Sequence, residues 1–174
     1  MHRRHVLAAA LIGIAAISHP TASHGQRADQ RPFMLETSRF NTDRLLTDWR
    51  WLVPPSETPL MISAMGDWVF GRPDGSLAKL DILEGVYVGI AQNSRQFNEL
   101  KASEAWLNKT FSFDWFVIAT QRGLVPAPDQ CLGWKQAPVL GGKFAVANLA
   151  LYDMAVYQLL QGQLHRQLRQ SKAR

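Results

Sequence analysis

Asp67-Trp68-Val69-Phe70-Gly71-Arg72-Pro73-Asp74-Gly75-Ser76-Leu77-Ala78-Lys79-Leu80-Asp81 decides the fold class. Two short apolar runs, 67–71 and 77–81, flank Arg72-Pro73-Asp74-Gly75-Ser76. Pro fixes one turn dihedral and Asp-Gly supplies the rest of the turn chemistry, so the stretch reads as a β-hairpin. Asp74 and Gly75 are therefore structural. Working outward, Pro59 to Met65 reads as a short strand leading to a turn at Gly66, and Val86-Tyr87-Val88-Gly89-Ile90-Ala91 as a third or fourth strand. Asp67 beside Gly66 and Asp81 at a strand end read as caps for backbone donors, and Trp68 as a core residue.

After residue 92 the period changes. Asn93 or Ser94 caps a helix carrying Phe97, Leu100, Trp106 and Leu107. A second helical stretch runs from Ser112 to Arg122, with Gly123 as its C-cap. On the other side of the hairpin, Asn41-Thr42-Asp43 caps a helix predicted to reach Val53, where Pro54-Pro55 stops it. Leu151 to Gln170 reads as a long amphipathic helix with Met154, Tyr157, Leu160, Leu164 and Leu168 on one face. Between these, residues 124–143 read as a long shaped loop, with Phe144 to Ala147 a short strand. The loop holds Cys131-Leu132-Gly133-Trp134-Lys135-Gln136-Ala137-Pro138-Val139-Leu140-Gly141-Gly142. That run is too apolar for a solvated linker and too rich in Gly and Pro for a helix or strand interior. Cys131, Gly133, Pro138, Gly141 and Gly142 are read as structural. The element order gives an α+β fold: a small antiparallel sheet, covered on one side by several helices, with a long amphipathic C-terminal helix.

At 174 residues, 47% of them hydrophobic and 19% charged, the chain is long enough for one sizeable core. His2-Arg3-Arg4-His5, the apolar run Val6 to Ile17 and Pro20-Thr21-Ala22-Ser23 form the pattern of a secretory signal over 1–23. The run is too short to span a bilayer, so no stable membrane anchor is expected. A polar stretch, 24–40, reads as a flexible lead-in, 41–170 as a single domain and 171–174 as a basic tail. The expected location is periplasmic or secreted, and cytoplasmic if translation starts at Met34. Removing the signal takes Arg3 and Arg4 and lowers the formal charge from +5 to +3. Arg166, Arg169, Lys172 and Arg174 crowd the end of the chain, where they suit a helix C-terminus better than a nucleic-acid face.

Candidate chemistry is sparse. A single cysteine excludes an internal disulfide and a cysteine zinc cage. No Gly-x-Ser-x-Gly elbow or phosphate loop occurs. Asp67, Asp74 and Asp81 recur every seven residues, but not in the alternating pattern of a calcium loop. No metal, cofactor or catalytic residue is expected. His165 sits on a polar flank of the last helix with no local partner to orient it as a base, and reads as structural or partner-contacting. Trp134, flanked by Gly133 and Lys135, reads either as core or as a half-exposed anchor.

Several pieces, in order, resemble a known family. They are Trp51-Leu52, Gly66-Asp67-Trp68-Val69-Phe70, Asp74-Gly75, Leu80-Asp81, Gly85, Ile90-Ala91-Gln92-Asn93-Ser94, Phe97 and Leu100. They continue with Cys131-Leu132-Gly133-Trp134-Lys135, Pro138, Leu140-Gly141-Gly142, Asn148-Leu149, Tyr157 and Gly162-Gln163-Leu164-His165. The set is similar to the C-terminal domain of type VI secretion immunity proteins, the family that protects bacteria against a DNase effector, without its extra N-terminal domain. The resemblance implies a non-enzymatic protein that binds and neutralises a cognate toxin. Trp134, Lys135, His165, Arg166 and Arg169 are the expected partner-binding residues, with no nucleic acid involved. The alternative is an exported domain that binds a small molecule or envelope component.

Overall fold

The computed structural model describes residues 32–172. The expected export signal, His24 and the lead-in as far as residue 31 lie outside them, as does Arg174. Five strands form an antiparallel meander in sequence order: β1 (Met34–Glu36), β2 (Thr58–Ser63), β3 (Trp68–Gly71), β4 (Leu77–Asp81) and β5 (Val86–Ala91). Four helices precede a second, two-stranded sheet: α1 (Thr42–Leu45), α2 (Ser94–Leu100), α3 (Glu104–Phe111) and α4 (Phe113–Gln121). That sheet pairs β6 (Gln130–Trp134) with β7 (Leu149–Asp153), and α5 (Met154–Lys172) closes the fold. The α+β class holds.

The hairpin turn forms as its residues dictate. Asp74 accepts hydrogen bonds from the Ser76 backbone N–H (2.9 Å) and hydroxyl (2.7 Å). The Gly66 turn has φ +91°, and a Cβ there would lie 2.5 Å from Ile82. Both demands select glycine. Asn41, Asn93 and Ser103 cap α1, α2 and α3 through their side chains.

Several expectations are corrected. The lead-in ends at Pro32: Phe33 is buried and the next three residues are β1. The helix expected over 41–53 is one α-turn followed by a 3₁₀ turn at Thr47–Trp49. The helix expected from Asn93 through Leu107 is two, broken where Ser103 caps α3. Cys131 to Trp134 is strand rather than loop, and the Leu132 N–H also bonds the Ala64 carbonyl (2.7 Å), which ties the two sheets together.

The sheet is covered on both faces, not one. On one face Trp68, Phe70 and Leu80 pack with Trp49, Met154 and Tyr157; on the other, Val69 and Leu77 pack with Phe97, Phe111 and Trp134. Central strands buried on both sides lose the alternating pattern that marks a half-exposed sheet.

Helix α5 begins after Asp153, which bonds the Val156 N–H (3.0 Å). Its buried stripe is Met154, Tyr157, Gln158, Gln161, Gly162 and His165. Leu160, expected to face inward, is 49% exposed. The stripe is largely polar because its partners are polar groups: Gln158 accepts from Trp68 Nε1 (3.0 Å) and donates to the Gly66 carbonyl (2.7 Å).

Candidate partner-binding surface

The five expected partner-binding residues do not form one surface. Trp134 is 4% exposed, its ring edge-on to Trp115 and Phe144 at 5.2 and 5.1 Å. The Trp134 backbone N–H donates to the Tyr157 hydroxyl (3.1 Å), which burial keeps protonated well beyond the usual tyrosine range. Of the two readings of Trp134, core residue and half-exposed anchor, the burial fits the first. His165 is buried as well. Its Nε2 lies 3.0 Å from the Ile82 carbonyl, which can only accept, so Nε2 carries the proton. The ring sits 6.0 Å from Trp49 and against Gly85, where a Cβ would come within 2.3 Å of it. Burial lowers the His165 pKa below the usual histidine value, so the neutral ring is favoured. Its role is structural, not partner-contacting.

The other three are exposed: Lys135 follows β6, and Arg166 and Arg169 sit together on α5. Lys135 donates to the Ala147 carbonyl (2.8 Å). The Arg169 guanidinium lies 5.6 Å from the Trp51 ring, and Arg166 lies about one turn earlier on α5.

Two apolar patches that sequence reading missed are exposed instead. The first is the loop over 135–148, whose outward side chains are Val139 (46% exposed), Leu140 (52%) and Phe144 (56%). Asn148 organises this loop. Its amide donates to the Gln136 and Lys143 carbonyls, 2.9 Å each, and accepts from the Gln136 N–H (3.0 Å). Gln136 in turn donates to the Leu140 carbonyl (3.1 Å). Gly142 packs so closely that a Cβ would lie 1.9 Å from the Gln136 carbonyl oxygen. The second patch is Val156, Leu159 and Leu160 on the outer face of α5, beside a recess of about 260 Å³ shared with Arg44, Asp48 and Asp153. Spacing alone could have found the second patch: Val156, Leu159 and Leu160 fall at i, i+3 and i+4.

A buried ionic cluster also escaped sequence reading. Lys79 sits between Asp67 (3.0 Å) and Asp81 (2.8 Å), donates to the Thr110 carbonyl at the end of α3, and lies 5.0 Å from the Phe111 ring. The expected capping roles hold too, since Asp67 accepts from Ile82 N–H and Asp81 from Leu83 and Glu84 N–H, all at 3.0 Å. Burial opposes charge on both partners. Two carboxylates outweigh it for Lys79, which stays protonated beyond the usual lysine range. Asp67 has one cation and also feels Asp81, so burial wins and its pKa rises to about 6. A protonated, doubly paired lysine is no nucleophile; the cluster fastens the sheet to the α3–α4 junction. Among the described residues, no group of three or more His, Cys, Asp or Glu could hold a metal ion, and no helix is long and apolar enough to cross a membrane.

Residues 91–165 match the family model described as T6SS immunity protein Tdi1, C-terminal, which bears out the resemblance drawn from the ordered motifs. No curated protein matches the chain. Among the solved structures that match is the crystal structure of Atu4351 from Agrobacterium tumefaciens, at 15% identity and a TM-score of 0.48, covering 75% of this chain and 66% of that one. The chain thus spans just under two thirds of that protein's length.

Proposed function

We propose that this protein is a type VI immunity protein that binds a secreted effector toxin and neutralises it by stoichiometric occlusion. The observation that carries the reading is the family match over 91–165, a span that includes both exposed apolar patches. Occlusion needs complementary surface rather than catalytic groups. The test is titration of a candidate type VI effector's toxin activity with the purified protein. Activity should fall linearly and vanish near equimolar ratio; toxin left fully active at excess would refute the reading.

Residues 1–23 are proposed to direct export to the periplasm. Phe33 supports this over translation from Met34: it packs against Phe113 and Phe116, and its carbonyl accepts from the Ala64 N–H (2.6 Å). A chain starting at Met34 would lack it. Mass spectrometry of the periplasmic fraction should find a product cleaved near Ser23; an intact or Met34-started chain in the cytoplasm would overturn export.

One observation favours a second reading, that of a small-molecule binder. A cleft of about 360 Å³ lies between β2 and α2, lined by Leu60, Met61, Leu77 and Phe97 with Lys101 also on its wall. That volume is within the range of small-ligand sites. A thermal upshift with an amphipathic carboxylate, in a protein that leaves the toxin active, would favour it.

A further inference from the structure

We propose that the 135–148 loop is the docking element, and that Val139, Leu140 and Phe144 seat in an apolar, acid-rimmed groove on the effector's toxin domain. The proposal rests on the immunity reading and adds the surface and the chemistry of the partner.

Three observations carry it. Phe144 and Leu140 are the most exposed large apolar side chains among the described residues, and Val139 adjoins them. Aromatic and aliphatic side chains projecting from one patch are the usual energetic centre of an interface. Next, the loop is held in shape before any partner arrives, by the Asn148 and Gln136 hydrogen bonds and the close seat of Gly142. Phe144 itself leans on Trp115 and Trp134. A preorganised loop loses little freedom on binding, so more of its contact energy appears as affinity.

The third observation is charge. From Gln130 to Tyr152 the chain has Lys135 and Lys143, both exposed, and no Asp or Glu. An acidic rim complements that, whereas two copies meeting loop to loop would oppose like charges. The α5 patch, by contrast, is bordered by Arg44 and by Asp48 and Asp153, so its charges select no sign of partner.

The probe is the toxin domain of a candidate type VI effector, inactivated by substitution, titrated calorimetrically with the full chain. Leu140→Glu and Val139→Glu place a charge on outward positions, and Leu160→Glu on α5 is the control. If the proposal is right, the wild type binds and each loop variant weakens binding by about 30-fold or more, the loss of a central anchor. Their melting curves match the wild type, and Leu160→Glu binds normally. Lys143→Glu slows association and flattens its salt dependence.

Loop variants that fold and bind like wild type would overturn the docking assignment and leave the immunity reading standing. Loss of binding only in Leu160→Glu would overturn it in favour of α5. A wild type that binds no toxin domain would remove both readings together. Loop-dependent sedimentation with phosphatidylglycerol vesicles, without toxin binding, would replace the effector by a membrane.

Discussion

Burial shifts the pKa of Asp67 up and that of His165 down, with opposite consequences for stability. The folded-state pKa of His165 lies below its unfolded value, so below about pH 6.5 the unfolded chain takes up the proton first and stability falls with pH. For Asp67 the folded-state value, about 6, lies above the unfolded 3.8, so the folded protein takes up the proton first. Its contribution therefore rises as pH falls from 6 toward 4. The two slopes have opposite signs in the wild type. His165→Gln should gain stability on acidification from pH 6.5 to 4.5, and Asp67→Asn should lose more than wild type over the same range. Melting temperatures across that range test both; parallel curves would show that neither group is perturbed by the fold. Lys79→Met should be the harsher change. It leaves Asp67 and Asp81 without their cation, at a cost of about 3–5 kcal/mol near neutral pH that shrinks in acid as Asp67 protonates. Urea melts at pH 7.5 and 5 measure it.

At the scale of elements, what was legible in the sequence was local. The β2–β5 strands, the Asp74-Gly75 turn and the Asn41 and Asn93 caps each depend on residues a few positions apart. What was hidden was decided across the chain. Strand β6 contains Gly133 and runs toward Pro138, so its composition reads as loop; it is a strand because β7, some twenty residues later, pairs with it. The inward face of α5 was misread because Gln158 and His165 look solvent-facing until Trp68, Gly66 and Ile82 supply their partners. Lys79 was missed for the same reason. Trp134 shows the effect on the site: the residue expected to anchor a partner is instead the support beneath Phe144. Trp134→Ala should consequently lower stability by about 3–5 kcal/mol, as large-to-small core changes do. A circular-dichroism melt decides it, and an unchanged midpoint would return Trp134 to the surface.

At the scale of the molecule, α5 is tied to distant parts of the chain. Its hydrogen bonds reach back 83 residues from His165 to Ile82, 90 from Gln158 to Trp68 and 115 from Gln163 to Asp48. Met154 and Tyr157 of that helix join Trp49 and Trp68 in the core on one face of the five-stranded sheet. A chain ending at Asp153 should therefore lack a cooperative melt and bind a hydrophobic dye. A sharp transition would show that the sheet stands without α5. The consequence reaches biosynthesis. Until Met154 and Tyr157 are synthesised, Trp49 and Trp68 lack that part of their packing, so a nascent chain ending before α5 should leave part of this core open to solvent.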